Sequence, residues 1–565
     1  MSSLLEALAL LAVCPAVAAA LAAPAVHVAD GTIIGRTENS IDTFLGIPYA
    51  EPPIGSLRLK PPQPLASTLG TLNATVTPAG CPQHLGNVDP GVFALLPPET
   101  IALFTGLVQP PPFVSEDCLT LNIQRPSSTA PGSQLPVLFW IHGGGWERGS
   151  NHQYDYSRLI ADSEAHGHPI MVVSTQYRLG AWGYLAGKEL RDEGSTNIGL
   201  RDQRRAMEWV AENIAAFGGD PDKVTIWGES AGSMSVLEHV VVNGGDHTYR
   251  GKPLFRGAIM HSGSSTPAQA ADSAIAQNIY DAFVSEAGCA GAADSLSCLR
   301  QLPFETFLNA TAIIPGSLGP VGLRMNFAPR PDSTNNFYAV SPDVALKGPN
   351  PKVAPVSFIS GTQDDEGTFF GLVLLNSTSS ELLVDAMTGL LPVTPVDTLE
   401  RLIRLYPTDP TLGSPYNTGT ANEVYSQFKR NAAFIGDLYL HFPKRAFHEA
   451  VGETLPVWDF LATYNKQTPV IGTFHGSDLA VFKNQQPPTS YDAMSRYYIS
   501  FINFLDPNVL QCDGSSTASL PHWPRWTKHG KEHIIFGENE TTVGSEDTRE
   551  EAFEYFSQIQ HELLY

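Results

Sequence analysis

Short, continuous apolar runs recur along the chain, separated by polar and turn-forming stretches. Pro136–His142 (PVLFWIH), Pro169–Ser174 (PIMVVS), Lys223–Gly228 (KVTIWG), Gly257–His261 (GAIMH), Val356–Gly361 (VSFISG) and Leu455–Leu461 (LPVWDFL) lack the alternation of a half-exposed strand. Uninterrupted apolar strands are what a parallel sheet covered on both faces requires. Helical periodicity fills the intervals. It is clearest from Asp202 to Phe217, where Ala206, Trp209, Val210, Ile214 and Phe217 share one face and Gly218-Gly219-Asp220-Pro221 supplies a stop. Strand, helix and strand in repetition predict right-handed crossovers and a doubly wound α/β sheet. The 45 prolines and 49 glycines are spread along the chain, without an internal repeat or low-complexity block. One large domain with elaborate loops is the expectation.

The opening of the chain breaks this pattern. Leu8–Ala23 is apolar, rich in alanine and interrupted by Pro15, with A-x-A spacings at Ala18/Ala20 and Ala20/Ala22. It predicts a signal peptide over residues 1–20 and a mature domain over 21–565. One departure is Glu6 in a leader that lacks Lys and Arg. No later run reaches ~18 apolar residues, so no integral membrane segment is expected. Beyond the leader stand Cys81, Cys118, Cys289, Cys298 and Cys512, with sequons at Asn73, Asn309, Asn376 and Asn539. Together these features predict a secreted, extracellular, glycosylated protein with disulfides. No CxxC or Cys/His spacing suggests a metal.

Charge narrows the partners. Lys and Arg number 34 against 57 Asp and Glu, a formal charge of −23, and no basic cluster interrupts it. Such a chain repels phosphate backbones and anionic membrane surfaces, so neither nucleic acid nor such a surface is an expected partner.

The densest chemistry is Gly228-Glu229-Ser230-Ala231-Gly232, a G-x-S-x-G directly after a buried strand and before a helix-compatible run. That context suits a nucleophilic serine on a tight strand-to-helix turn. His142-Gly143-Gly144-Gly145-Trp146 follows another buried strand, and consecutive glycines leave amides open to a substrate oxygen. Candidate oxyanion donors are the amides of Gly144, Gly145 and Ala231. A serine needs a base, and the base needs an orienting acid, in the chain order Ser, Asp/Glu, His. Asp364, Asp365 and Glu366 sit together beyond a predicted strand, and spacing does not choose among them. The downstream histidines are His441, His448, His475, His522, His529, His533 and His561. Only His475 lies in a glycine-flanked loop (IGTFHG) shortly after a predicted strand.

GESAG and HGGGW, together with Ser115–Ile123 (SEDCLTLNI) and Asn197–Gln203 (NIGLRDQ), resemble the type-B carboxylesterase/lipase family. Phe217–Val236 (FGGDPDKVTIWGESAGSMSV) is similar to secreted fungal lipases and sterol esterases of the Candida rugosa type. The resemblance runs from about Gly31 to Tyr565. It implies an α/β-hydrolase fold, with a large mostly parallel sheet and helices on both faces. It also implies Glu366 as the acid, His475 as the base, Ser230 as the nucleophile, and disulfides Cys81–Cys118 and Cys289–Cys298. Cys512 has no partner under this scheme. The implied activity is carboxylic ester hydrolysis through an acyl-enzyme, without a cofactor. His142 departs from the aromatic residue found in many lipases of this subgroup, which bears on substrate preference.

The Cys81–Cys118 loop carries Val92-Phe-Ala-Leu-Leu and Ile101–Val108, apolar segments that suit a lid over the site, exposed at a lipid–water interface. Met234, Phe369 and Phe370 are expected to line an acyl site. Long-chain lipid esters are the favoured substrates, triacylglycerols or sterol esters. The competing reading is a short-chain or aryl-ester carboxylesterase without interfacial activation. A non-catalytic binding protein on the same scaffold is the third, at odds with an intact triad. A monomer or a homodimer, through facing apolar mouths, fits either enzyme.

Overall fold

The computed structural model describes residues 23–86, 90–319, 323–482, 490–512 and 520–565. The predicted signal peptide lies outside the described residues.

An eleven-stranded sheet organises the molecule. From one edge its order is Thr541–Ser545, Glu532–Phe536, Val457–Ala462, Ser357–Gln363, Gly257–His261, Gly219–Glu229, Leu135–Ile141, Met171–Thr175, Thr120–Pro126, Ile41–Pro48 and Arg36–Glu38. Neighbours from Glu532–Phe536 through Met171–Thr175 are parallel, and the pairs outside that block are antiparallel. All six strands expected from apolar runs lie in the parallel block, where helices cover both faces and polar alternation is not needed. Glu532–Phe536 and the antiparallel strands were not anticipated. They are short, or mix polar residues into their buried faces, and so give no uniform run.

The expected helix at Asp202–Phe217 begins earlier, at Ile198, and its last turn tightens into a 3₁₀ turn at Ile214–Phe217. Gly218 ends it with φ 84°. The rest of the expected stop belongs to the next strand. Gly219 pairs with Leu135, and Pro221 is tolerated there because the register shifts between Leu135 and Val137.

Two motifs behind the family resemblance prove to be braces. Glu116 accepts two hydrogen bonds from the Arg58 guanidinium (2.6 and 2.7 Å) and one from the Trp182 indole (2.8 Å), all buried. Asp202 takes a second bidentate arginine, Arg178, at 2.6 and 2.8 Å. Neither carboxylate is left uncompensated in the interior, as burial of charge demands. The disulfides are Cys81–Cys118 and Cys289–Cys298.

Strand order creates the crevice. The chain places Met171–Thr175 on one side of Leu135–Ile141, then returns to lay Gly219–Glu229 on the other. The carboxyl ends of Leu135–Ile141 and Gly219–Glu229 therefore flank a topological switch point, where ligands bind in open α/β sheets. HGGGW leaves one of these strands and GESAG the other.

The disulfide-closed segment forms two helices, Pro90–Ala94 and Pro98–Val108. Val92 and Leu96 are buried in an apolar cluster with Leu318, Phe369 and Phe474, and the Thr100 hydroxyl donates to Pro469 O at 3.0 Å. The segment thus packs beside the catalytic crevice.

Candidate active site

Ser230 sits at φ 56°, ψ −127°, a conformation most side chains avoid, with the Ala231–Val241 helix starting at the next residue. The motif's glycines are steric requirements. A Cβ on Gly228 would lie 2.2 Å from Gly232 O, and one on Gly232 would lie 2.1 Å from Ile141 O. Ala231 opens the helix, so its amide has no acceptor within the helix. Gly144 and Gly145 take φ 111° and 65°. A Cβ on neighbouring Gly143 would fall 2.9 Å from Ser230 Cβ, so this loop lies directly against the serine. His142 is buried beneath the loop. Its ring stacks on Tyr177 at 4.4 Å, its Nδ1 donates to Gly143 O at 2.9 Å, and burial pulls its pKa down to about 4. It is a neutral support for the glycine turn.

On the opposite wall, Ser230 Oγ donates to His475 Nε2 at 2.8 Å and His475 Nδ1 donates to Glu366 Oε2 at 2.6 Å. The other Glu366 oxygen accepts from Gln363 N at 2.8 Å. The three acidic neighbours have separate places. Asp364 pairs with Lys466. Asp365 turns into the protein, where Oδ1 accepts from Ser414 Oγ (3.0 Å) and Tyr416 N (2.9 Å), and Oδ2 from Thr473 N (2.9 Å) and Lys466 Nζ (2.7 Å). Glu366 alone of the three meets an imidazole of the crevice.

His475 also lies 3.4 Å from Glu229 Oε1. Burial pulls the imidazole down, but the charges of Glu229 and Glu366 outweigh it and raise its pKa to about 9. The remaining histidines are elsewhere. His522, His529 and His561 are exposed. His448 is buried and His441 half-buried, both with pKa values pulled down by desolvation, and His533 faces Asp459 at 3.5 Å. His448, Asp459 and Glu546 group their ligand atoms within 4.8 Å, but around the Lys444 ammonium, 2.8 Å from Asp459 and 3.0 Å from Glu546.

Above the triad opens a cavity of ≈ 990 Å³, its mouth included. Gly144, Gly145, Ser230, Ala231 and His475 line it, with Met234, Phe369 and Phe370, the side chains expected at an acyl site. Phe370 rests on the His475 ring, centroids 4.9 Å apart.

Sequence reasoning missed several contributors. Glu229 stands inside the serine motif, where adjacency to the nucleophile was its only signal. Asp365 had been singled out only as a candidate acid, and its bracing role with Lys466 was hidden because its partners are remote in sequence. His261 receives Tyr498 OH on Nε2 at 2.8 Å and gives Nδ1 to Asp478 at 2.5 Å, while its carbonyl accepts the Ser230 amide at 2.9 Å. It ties the serine's strand to the loop that carries His475.

The Carboxylesterase family model matches residues 22–555. A Botryotinia fuckeliana protein named Secreted lipase 1 is 46% identical, covering 90% of this chain and 88% of its own. A secreted triacylglycerol lipase of Gibberella zeae is 41% identical over 96% and 91% of the two chains. The crystal structure of Aspergillus niger EstA superposes with a TM-score of 0.79 at 26% identity, covering 96% of this chain and 99% of that one. The chain thus belongs to the carboxylesterase family, as its motifs led one to expect, and is a carboxylic ester hydrolase.

Proposed function

We propose that this protein is a secreted, glycosylated serine hydrolase of lipid esters, triacylglycerols foremost, with residues 21–565 as its catalytic unit. The observation that carries the reading is the unbroken hydrogen-bond chain Ser230–His475–Glu366 on the floor of an apolar cavity. Ser230 Oγ attacks the ester carbonyl carbon while its proton passes to His475 Nε2. The resulting oxyanion accepts from the amides of Gly144, Gly145 and Ala231. Glu366 holds the imidazole in the tautomer that leaves Nε2 free to accept, and stabilises its cation. His475 then returns the proton to the departing alkoxide, leaving an acyl group on Ser230. Water attacks that acyl carbonyl, giving its proton to His475, which passes it to Ser230 Oγ as the acyl–Oγ bond breaks and the carboxylic acid leaves. No step draws on a cofactor.

Relatives named as secreted lipases, one as a triacylglycerol lipase, support the substrate class and the location. So does the apolar lining contributed by Met234, Phe369 and Phe370. Asn73, Asn309, Asn376 and Asn539 are all exposed, as glycan attachment requires. Ser230→Ala lowers kcat on triolein and on p-nitrophenyl butyrate by about 10⁵ or more while the circular dichroism spectrum is unchanged. A folded variant that keeps its activity refutes the assignment.

A further inference from the structure

Ser235 lies one helical turn beyond Ala231, fully buried in the Ala231–Val241 helix, and its hydroxyl bridges the two elements that carry the oxyanion amides. Toward the glycine loop, Ser235 Oγ accepts from the Trp146 indole Nε1–H at 3.0 Å. Toward the nucleophile helix, it donates to Ala231 O at 2.8 Å. Gln203 Nε2 donates to the same hydroxyl at 3.3 Å, and Gln203 Oε1 accepts from His239 Nε2 at 2.9 Å. Desolvation pulls the pKa of His239 down to about 3, so the ring stays neutral and supports the amide as a donor. With two bonds accepted and one given, the serine hydroxyl has its full complement.

Trp146 gives this contact its weight. It follows Gly145 directly and sits at φ 57°, a backbone region that a bulky side chain enters only when its surroundings enforce it. The backbone of the turn is held by Gly180 N, which donates to Trp146 O at 2.8 Å. The indole is held by Ser235. The left-handed turn that ends the glycine loop is thereby tied to the helix that starts at Ala231.

We propose that Ser235 is a positioning residue for the oxyanion site: through one oxygen it anchors the Trp146 indole and the Ala231 carbonyl, and so keeps the Gly144 and Gly145 amides in register with the Ala231 amide. The proposal rests on acyl transfer at Ser230 with those three donors, as described above. Fully buried, Ser235 acts through the amides and not on the substrate. Negative charge on the substrate oxygen develops in the transition state, so loss of register costs turnover more than binding.

Ser235→Ala lowers kcat on p-nitrophenyl butyrate about thirtyfold, short of the ~10²–10³ that loss of a whole oxyanion donor costs, and changes KM less than about threefold. Hexyl trifluoromethyl ketone adds to Ser230 as a hemiketal whose oxygen occupies the oxyanion site, and its affinity falls by about the same factor. Affinity for hexyl methyl ketone, which binds without that charge, stays within about twofold. The acid limb of kcat/KM, set by His475, stays in place. Trp146→Phe keeps a ring, removes the indole N–H and gives the same pattern. The double variant loses no more than about twofold beyond the worse single variant, because both changes remove one bond. Should Ser235→Ala not accumulate as folded protein, Trp146→Phe carries the kcat and ketone measurements. An unchanged kcat in the folded variant overturns the proposal alone. So do equal losses for the two ketones, a shifted acid limb, or single losses that multiply in the double variant. Hydrolysis that survives Ser230→Ala would overturn the catalytic reading and this proposal together.

Discussion

The two walls of the catalytic crevice are held by different physics. On the nucleophile side, Gly143, Gly144, Gly228 and Gly232 are fixed by steric exclusion against neighbouring backbone. On the acid–base side, Glu366 and His475 are carried by loops that long-range polar bonds stitch together, centred on Asp365 and Lys466. Asp365 N also donates to Thr473 O at 2.9 Å, joining the two loops by backbone as well. The difference teaches how each wall fails. A steric wall tolerates no added atom, whereas a polar wall loses alignment when one acceptor goes.

The largest expected effect comes from adding a single methyl to the steric wall. Gly232→Ala sets Cβ against Ile141 O, destabilising the fold by about 3 kcal/mol and cutting activity below about 1%. Guanidinium unfolding and kcat measure the two losses, and a fully active, stable variant would show that sterics do not hold this wall. Asp365→Asn comes next. It removes charge and one acceptor from a buried hub while leaving Ser230 and the cavity lining untouched. Misplacement of His475 and Glu366 lowers kcat about a hundredfold, with KM changed less than about threefold. An equal rise in KM would move Asp365 into substrate binding.

The smallest effect is electrostatic. His475 accepts a proton only when neutral, and the Glu229 and Glu366 charges favour its cation, placing its pKa at about 9. Activity is therefore lost as pH falls through that region. Glu229→Gln removes one of the two charges, lowers the pKa and moves the acid limb of kcat/KM downward by about one pH unit. A limb that stays in place would show that Glu229 does not act on the imidazole through its charge.

The same contrast explains what was legible in the sequence. Steric demands are local, so the nucleophile wall left short glycine patterns, GESAG and HGGGW, beside recognisable strands. The six apolar strands were equally legible, since burial on both faces is written residue by residue. Polar stitching is not local. Asp365 reaches Ser414, Tyr416, Lys466 and Thr473, partners 49 to 108 residues away, so spacing left three acids open and only family resemblance selected Glu366. Glu229 gave no signal beyond its place beside the nucleophile, because it acts through what surrounds it in space. The Cys81–Cys118 segment shows a further limit. Its apolar segments were legible, but sequence could not say that Val92 and Leu96 are packed away beside the crevice.

The backbone at Ser230 carries a final implication. Its φ of 56° with ψ −127° is a geometry native to glycine, so the residue that makes the protein reactive is also one the fold would rather not contain. A lineage released from the need to turn over substrate, but still rewarded for endurance, would gain by replacing that serine with glycine. Reactivity in this molecule is a debt that the surrounding sheet must be sturdy enough to carry.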